Sequence, residues 1–253
     1  MRTSASSVGT GCQQVTEWLP CANGCRAGRT AVTDGDGGTR PIPADESEPV
    51  RRDPERTRER ILDAATREFS EKGLGGARVD QIAARADANK RLLYHYFGDK
   101  EALFLAVLER AYHAVRAHEG ELHLADLPPV EGMRRLCGYT FDYLSDHPEF
   151  ISLLNSENLH KARHLKKSAV IRDMHGTLVD QIADLLRRGE AEGVFRPGVD
   201  PVQLYISIAG LAYFYLSNVH TLSTIFGRDF KRRDEKARRH DEVVAVILGY
   251  LRP

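Results

Sequence analysis

The sequence predicts an all-α fold in which an N-terminal three-helix bundle with a helix-turn-helix precedes a larger helical domain. Three observations support this prediction. Apolar residues recur every three or four positions through most of the chain after residue 50, helix-capping residues stand before these runs, and strand patterns are essentially absent from the sequence. We expect the bundle to occupy residues 51–100 and the larger domain residues 101–253.

Residues 1–50 differ from the rest of the chain in composition. They are rich in Gly, Ser, Thr and Pro and show no apolar period, which predicts a disordered N-terminal extension. Cys12, Cys21 and Cys25 lie here without a convincingly spaced fourth ligand, since Cys137 is far away, so free thiols are favoured over a zinc or redox site. Translation from a start near Val50 would leave this segment out of the protein.

Composition narrows the class of protein. The 253 residues are 42% hydrophobic and carry 36 Lys plus Arg against 36 Asp plus Glu, with enough apolar material for one or two buried cores. The sequence has no run of 18 apolar residues and no signal-peptide core, so we expect a cytoplasmic protein without a membrane partner. Residues 51–100 hold 12 Lys plus Arg against 9 Asp plus Glu, a local excess of positive charge.

The first helix is predicted to begin at Asp53 and Pro54, because a carboxylate can accept from free amides and proline is tolerated in the first turn. Gly73 supplies its left-handed stop. One apolar face joins these two ends and consists of Ile61, Leu62, Ala65 and Phe69.

A helix-turn-helix follows this first helix. Residues 79–83 mark a short second helix that breaks near Asp87, a residue type that tolerates positive φ. Asn89 is a good cap for a third helix over residues 90–96, which Leu92 or Leu93 pins to the first two.

The third helix predicts a DNA contact, because the first residues of such a helix reach base edges in the major groove. The candidate base readers are Lys90, Arg91 and His95. The candidate phosphate and backbone contacts are Arg78, Asn89, Tyr94, Tyr96 and Lys100. The alternative is that these side chains are solvated cations or core aromatics, and a core position is the favoured role for Phe97.

The run from Arg58 to Arg110 carries a specific combination of motifs. A glycine-ended first helix precedes a Val-x-x-Ile-Ala helix at residues 79–83. The closing signature consists of Leu93, Tyr94, Tyr96, Phe97, Lys100, Glu101, Leu103 and Phe104. With these motifs the segment resembles the DNA-binding domain of the TetR family of bacterial regulators, which implies a DNA-binding transcriptional regulator, more commonly a repressor than an activator.

Four positions depart from the usual pattern of that family. Ala77 and Arg78 stand where a threonine pair is usual, so the second helix lacks a hydroxyl cap worth about 1 kcal/mol. Asp87 replaces the common turn glycine, and Asn89 replaces a serine or threonine.

Residues 103–253 are predicted to continue as helices, the first of which links the DNA reader to the remainder. Proline pairs, the cap at Asp200 and the stop at Gly193 mark several of the ends. The predicted helices span residues 103–118, 130–145, 149–160, 168–192, 201–218 and 234–251.

The resemblance implies a homodimer whose subunits pair their last two helices as a four-helix bundle on a palindromic operator. Apolar stripes on these helices are the expected interface: Leu204, Ile208, Leu211, Tyr215, Val243, Val244, Ile247 and Leu251. The alternative is that the stripes pack only within one subunit.

The resemblance also implies an effector pocket in the larger domain, which would then be a ligand-binding and dimerisation domain. A small molecule bound in this pocket would release the protein from DNA. The candidate wall residues are Tyr139, Tyr143, Asn155, Asn158, Tyr213 and Asn218. A weaker resemblance to the RutR-like branch of the family runs through residues 157–164, 205–227 and 249–253, and it does not identify the ligand.

Two alternative functions stay open at the level of sequence. Glu157, His160 and His164 are spaced to share one helical face and could hold a divalent metal in an all-helical enzyme, although neighbouring lysines and arginines favour a solvated basic face. We assign no metal, cofactor or catalytic residue, because the sequence shows no nucleophile, phosphate loop or full ligand set. The other alternative is an architectural DNA-binding protein without an effector.

Overall fold

The computed structural model describes residues 53–253, apart from the side chain of His175. The extension predicted over residues 1–50 and the thiols of Cys12, Cys21 and Cys25 lie outside these residues. Between residues 53 and 253 the chain is helical without a strand, which confirms the predicted fold class.

Ten α-helices follow one another in the described part of the chain. The first four are α1 (Pro54–Gly76), α2 (Val79–Arg85), α3 (Lys90–Phe97) and α4 (Lys100–Gly120). The other six are α5 (Pro129–Asp146), α6 (Pro148–Leu159), α7 (Ala169–Ala191), α8 (Pro201–Ser217), α9 (Val219–Phe226) and α10 (Arg233–Leu251). Short 3-10 turns at Leu124–Asp126 and Leu165–Lys167 precede α5 and α7.

Side-chain caps start four of these helices, and three of these caps, Asp53, Asn89 and Asp200, are the ones that the sequence predicts. Asp53, Asn89, Asp99 and Asp200 each accept a backbone N–H from the first turn of α1, α3, α4 and α8. The N–H to Oδ1 distance for Asn89 is 2.9 Å and that for Asp99 is 2.7 Å. Capping satisfies amides that have no partner within the helix, so it fixes where each helix begins.

Two predicted left-handed residues also take that conformation. Gly73 has φ of +64° and Asp87, in the turn between α2 and α3, has φ of +46°. Gly73 ends the regular helix as predicted, because its φ and ψ of 64° and 173° are not helical. One further helical turn follows this kink as far as Gly76.

Helices α1, α2 and α3 form a bundle, which we call the reader bundle. Its core is built from the predicted apolar face of α1 together with Ile82 of α2 and Leu93 of α3, all of them buried. Leu93 rather than Leu92 is the residue that pins α3, since Leu92 is only half-buried. The ring of Phe69 meets Phe104 of α4 edge to face, with centroids 5.1 Å apart.

A buried carboxylate supplies what the start of α2 lacks. Arg78 stands at the N-cap of α2 without a side-chain cap, as the missing hydroxyl predicts. Glu68 of α1 is fully buried, and its Oε1 accepts from the Arg78 amide at 3.2 Å and from Lys72 Nζ at 3.1 Å. Arg85 at the end of α2 lies 3.5 Å from the other oxygen. One acidic side chain of α1 therefore holds both ends of α2.

Helix α4 belongs to two parts of the molecule. Residues in its N-terminal half, Leu103, Phe104 and Leu108, are buried against the reader bundle. Arg110 ties the same half to α1 through Asp63 Oδ1 at 2.7 Å. Its C-terminal half runs on into the larger domain, so a displacement of one end of this rigid element is felt at the other.

The larger domain packs α5, α7, α8 and α10 around a second core. Met133, Leu136, Ile182 and Leu185 are among its fully buried residues. Helix α6 leaves this domain to lie along α1, where Ser156 Oγ accepts from the Leu74 amide at 3.1 Å. Helices α4 and α6 thus both contact the reader bundle.

The apolar stripes of α8 and α10 face inwards. One of the eight predicted interface residues, Leu211, is half-buried. The other seven are buried within the subunit: Leu204, Ile208, Tyr215, Val243, Val244, Ile247 and Leu251. A side chain enclosed by its own subunit offers a partner almost no surface, so these seven residues belong to the subunit's own core, and Leu211 keeps an exposed part for an interface. The longest apolar stripes on these helices build the monomer's core.

The sequence did not predict α9. Its residues, rich in Thr and Val, follow directly on α8, and Asn218 breaks the helix between them with a bend of 66°. Among the described residues no single helix is long and apolar enough to cross a membrane, and α8 and α9 meet that test only as this bent pair.

Candidate functional site

The outer face of α3 is the candidate nucleic-acid interface. Asn89, Lys90, Arg91 and His95 are exposed, and Tyr94 exposes 45% of its surface. Arg78, at the start of α2, is also exposed. The exposed face of α3 therefore carries two cations in its first turn and a phenol and an imidazole one turn later, which are side-chain types that a major-groove helix uses.

Lys90 has a partner that a nucleic acid can replace. Its Nζ lies 2.9 Å from Asp80 Oδ1, and both side chains are more than half exposed. The hydrogen bond from Lys90 holds the pKa of Asp80 below its ordinary value. An exposed ion pair contributes little net stability, so exchanging Asp80 for a phosphate or a base costs little.

Tyr96 and Lys100 lie at the edge of this face. Both are half-buried, and the Tyr96 ring stands 5.4 Å from that of His95. Lys100 is the first residue of α4, directly after the cap Asp99, where free amides and the helix dipole favour an anion. Phe97 packs against the core beneath them, as the sequence predicts.

A cavity of about 320 Å³ lies in the larger domain between α4, α5, α6 and α8. Its walls are aromatic and apolar for the most part. The residues that line it include Tyr112, Val115, Arg116, Glu119, Tyr139, Tyr143, Phe150, Leu154, Asn158, Tyr205, Ala209 and Tyr213. Four elements converge on it, so a bound molecule would contact all of them.

Four of the six predicted pocket residues lie in this wall: Tyr139, Tyr143, Asn158 and Tyr213. Asn155 stands behind the wall and accepts a hydrogen bond from the Tyr213 hydroxyl. Asn218 lies outside the lining, because it ends α8 and donates to the Phe214 carbonyl at 2.8 Å.

The cavity holds an ion pair that sequence reasoning missed. Arg116 and Glu119 are paired side by side on α4, and their side chains are only 11% and 7% exposed. Burial raises the pKa of Glu119 to about 7, although Arg116 opposes that shift. The Arg116 Nε is buried without an acceptor, and its guanidinium lies 5.9 Å from the centre of the Tyr205 ring.

A signal for this pair was present in the sequence. Tyr112, Val115, Arg116 and Glu119 fall at helical spacing on one face of α4, so the two charges share the face of two buried apolar residues. Charged residues three positions apart on a helix are usually solvated, so the sequence did not lead us to expect a buried pair here.

Glu157 and His164 do not form the metal site that their spacing allowed. Helix α6 ends at Leu159, and Lys161 and Ala162 take positive φ, so the expected shared helical face does not exist. Glu157 instead accepts from His164 Nδ1 at 2.6 Å and, with its other oxygen, from two backbone amides at 2.8 and 2.9 Å. Among the described residues no cluster of three His, Cys, Asp or Glu is placed to hold a metal.

This buried pair closes the loop after α6 and seats it on α4. The His164 ring meets Phe104 edge to face with centroids 5.2 Å apart. On α6, the three consecutive residues Ser156, Glu157 and Asn158 contact α1, this loop and the cavity respectively.

Comparison with protein families gives two matches. Residues 61–107 match the family model described as bacterial regulatory proteins, tetR family. Residues 129–247 match the model described as Tetracyclin repressor-like, C-terminal domain. The first covers most of the reader bundle and the start of α4, and the second covers α5 to α9 and most of α10.

Individual relatives agree with these matches. The chain is 40% identical to the HTH-type transcriptional repressor NicS of Pseudomonas putida over 183 residues, which is 72% of this chain and 86% of NicS. It is 26% identical to the HTH-type transcriptional regulator RutR of Escherichia coli O157:H7, over 76% of this chain and 89% of RutR. The solved structure of SCO4942, a transcriptional regulator from Streptomyces coelicolor, covers 78% of this chain and 99% of its own, with 26% identity and a TM-score of 0.58.

We predict that Glu119 makes the stability of the protein depend on pH. Because its pKa in the folded protein is about 7, above the ordinary 4.5, the folded state keeps a proton that the unfolded chain has lost. The free energy of unfolding should therefore fall by roughly 3 kcal/mol as pH rises from 4.5 to 7. Urea denaturation across this range should show a flatter profile for Glu119→Gln.

The matched control is Glu131→Gln, at an exposed carboxylate on α5. It should reproduce the wild-type profile. Parallel curves for the wild type and Glu119→Gln would show that Glu119 is an ordinary carboxylate.

Proposed function

Because the chain belongs to the TetR family of bacterial transcriptional regulators, we propose that it represses a promoter by binding a palindromic operator as a homodimer and that a small molecule releases it. One observation carries this proposal. Helix α4 is at once a wall of the internal cavity and a part of the reader bundle's core. We place the regulator in the cytoplasm, with the chromosome that it binds.

On DNA, the proposed contacts divide by chemistry. Lys90, Arg91 and His95 reach base edges from the start of α3, and Tyr94 and Lys100 bind phosphate beside them. Arg78, Asn89 and Tyr96 add backbone contacts at the rim of this face. This division fits a reader whose affinity comes mostly from phosphates and whose selectivity comes from few residues.

Release follows from the shared helix. A molecule bound between α4 and α8 contacts Tyr112, Val115 and Arg116, which lie on α4 beyond the reader bundle. Movement of that half of α4 carries Phe104 and Leu108 with it, and the reader bundle turns relative to its partner. Two readers that no longer match successive major grooves lose their joint affinity.

The cavity favours this proposal over the two alternatives. An architectural protein without an effector needs no cavity beside the helix that carries its reader. An enzyme built on Glu157 and His164 lacks support, since these two groups satisfy each other inside the protein.

We further propose that the dimer forms through the outward faces of α8 and α10. Val202, Ile206 and Phe214 are exposed at separations of four and eight residues along α8, and Ile206 and Gly210 also line the cavity. Val246 and Tyr250 continue the exposed apolar surface on α10. We propose these outward residues as the dimer interface in place of the inward stripes that the sequence predicted. Apolar helix faces of this kind pair in four-helix bundles.

The proposed DNA contacts are tested by two sets of substitutions. Tyr94→Ala with Lys100→Ala should weaken binding to every duplex and lower the slope of log affinity against log salt by about 1 per lost phosphate contact. Arg91→Ala should change base preference, at a cost of about 1–3 kcal/mol on the preferred site. Fluorescence anisotropy on duplexes selected from a random library measures both effects.

Arg187→Ala is the control, at an exposed cation on α7 far along the chain from α3. It should leave affinity and base preference unchanged. Wild-type affinity in the Tyr94 and Lys100 double variant would refute the proposed contact face.

The proposed dimer is tested by Val202→Glu combined with Phe214→Glu. Two carboxylates placed in an apolar interface must be desolvated, so the variant should sediment as a monomer where the wild type sediments as a dimer. Val170→Glu on α7, also at an exposed apolar residue, is the control and should remain dimeric. A dimeric double variant would place the interface elsewhere.

A further inference from the structure

The cavity that we propose for the effector has a size that limits what can bind. Its volume is about 320 Å³. A cavity of about 150 Å³ is sufficient for benzene, so this one has room for a molecule of one or two rings.

The walls of the cavity favour a flat molecule. The rings of Tyr112 and Phe150 meet edge to face with centroids 5.3 Å apart. The ring centroids of Tyr139 and Tyr143 on α5 are 5.8 Å apart. Tyr205 and Tyr213 face them from α8. Aromatic rings recognise other rings by stacking and by edge-to-face contact, so these surfaces suit an aromatic guest.

Arg116 and Glu119 are the only charged side chains among the residues that line this cavity within residues 53–253. Both are nearly enclosed, and the guanidinium has one carboxylate as its counter-ion. Its Nε has no acceptor, so one donor of Arg116 is unused beside the bonds to Glu119 and to the Tyr205 hydroxyl. A planar guanidinium binds a carboxylate through two parallel hydrogen bonds.

From this geometry we propose that the effector is a small aromatic carboxylic acid of one or two rings, whose carboxylate binds Arg116 in the place of the Glu119 carboxylate. The inference rests on the proposed effector-responsive function and names the chemical class of its ligand.

Charge balance makes this binding proton-linked. Two carboxylates beside one buried guanidinium repel each other, so the ligand anion binds together with one proton, which Glu119 takes up. The protonated Glu119 then donates a hydrogen bond to the ligand or to a neighbour. Since burial already raises the pKa of Glu119 to about 7, this proton is taken up readily near neutral pH.

Other titratable groups surround the pair. They are Tyr112 and His118 on α4, Glu121 directly after α4, Tyr139 and Tyr143 on α5, and Tyr205 and Tyr213 on α8. Burial raises the pKa of Tyr112 and Tyr139 well above its ordinary value and that of Tyr143 to about 12, so these three phenols are neutral. Glu121 is exposed, and it lies outside the cavity lining.

Isothermal titration of the full chain tests the proposal with matched probes. Benzoate and 2-naphthoate are compared with their amides, which keep the ring and lose the charge, and with octanoate, which keeps the charge and loses the ring. We expect at least one aromatic acid to bind ten-fold or more tightly than its amide and than octanoate. Titration at pH 7 in two buffers of different ionisation heat should show net proton uptake, and affinity should fall as pH rises from 7 to 8.

Three variants separate the two roles. Arg116→Gln should abolish the preference for acid over amide. Glu119→Gln should retain acid binding but lose proton uptake and pH dependence, because it cannot accept a proton. Arg134→Gln, at an exposed arginine on α5, is the matched control and should bind as the wild type does.

Several results would overturn the proposal. For the wild type, these are equal affinity for acids and amides, tighter binding of octanoate than of the aromatic acids, and no binding of either aromatic acid at millimolar concentration. For the variants, they are a preference for acid over amide that remains in Arg116→Gln and proton uptake that remains in Glu119→Gln. DNA binding measured on the same preparation distinguishes the two levels. If it is intact, only the ligand class is wrong; if it is absent, the proposed function fails as well.

Discussion

The packing of α4 is the constraint on which the other parts of the structure depend. Its N-terminal half completes the core of the reader bundle through Phe104, whose ring contacts Phe69 of α1 and His164 of the loop after α6. Its C-terminal half supplies Tyr112 and Arg116 to the cavity. Because close-packed interiors respond to strain by shifting whole elements, one helix with residues in the reader bundle's core and in the cavity wall couples the cavity to the proposed DNA-binding face.

Helix α6 gives this coupling a second route through a different interaction. Ser156 is bonded to the backbone of α1, and Asn158 lies in the cavity wall only two residues away. Between them Glu157 uses both oxygens on the loop after α6, so the end of α6 and this loop move as one piece. If α4 were the only coupling element, the reader bundle could rotate at α1 without following the larger domain. The hydrogen bond from the Leu74 amide to Ser156 limits that rotation.

Local chemistry was the part of the fold that sequence could predict. Asn89 and Asp200 cap their helices, and Asp87 turns the chain, because these effects depend only on the residue and its neighbours. The partner of a buried face depends on the whole fold, which is why the stripe containing Ile208 was assigned to a dimer and proved to be core. The sequence predicted some of the tyrosines that line the cavity. It did not predict Arg116, because a charged residue on a helix is expected to be solvated until its neighbours in the fold are known.

The most direct test of the shared-helix account fills the cavity without a ligand. Ala209→Phe adds a ring to the α8 wall opposite α4, and Ala191→Phe adds the same ring at the exposed end of α7. If α4 transmits occupancy of the cavity, Ala209→Phe should lower operator affinity at least ten-fold and speed amide exchange in the first half of α4, while Ala191→Phe changes neither. An Ala209→Phe variant that is folded and binds its operator as tightly as the wild type would contradict the account.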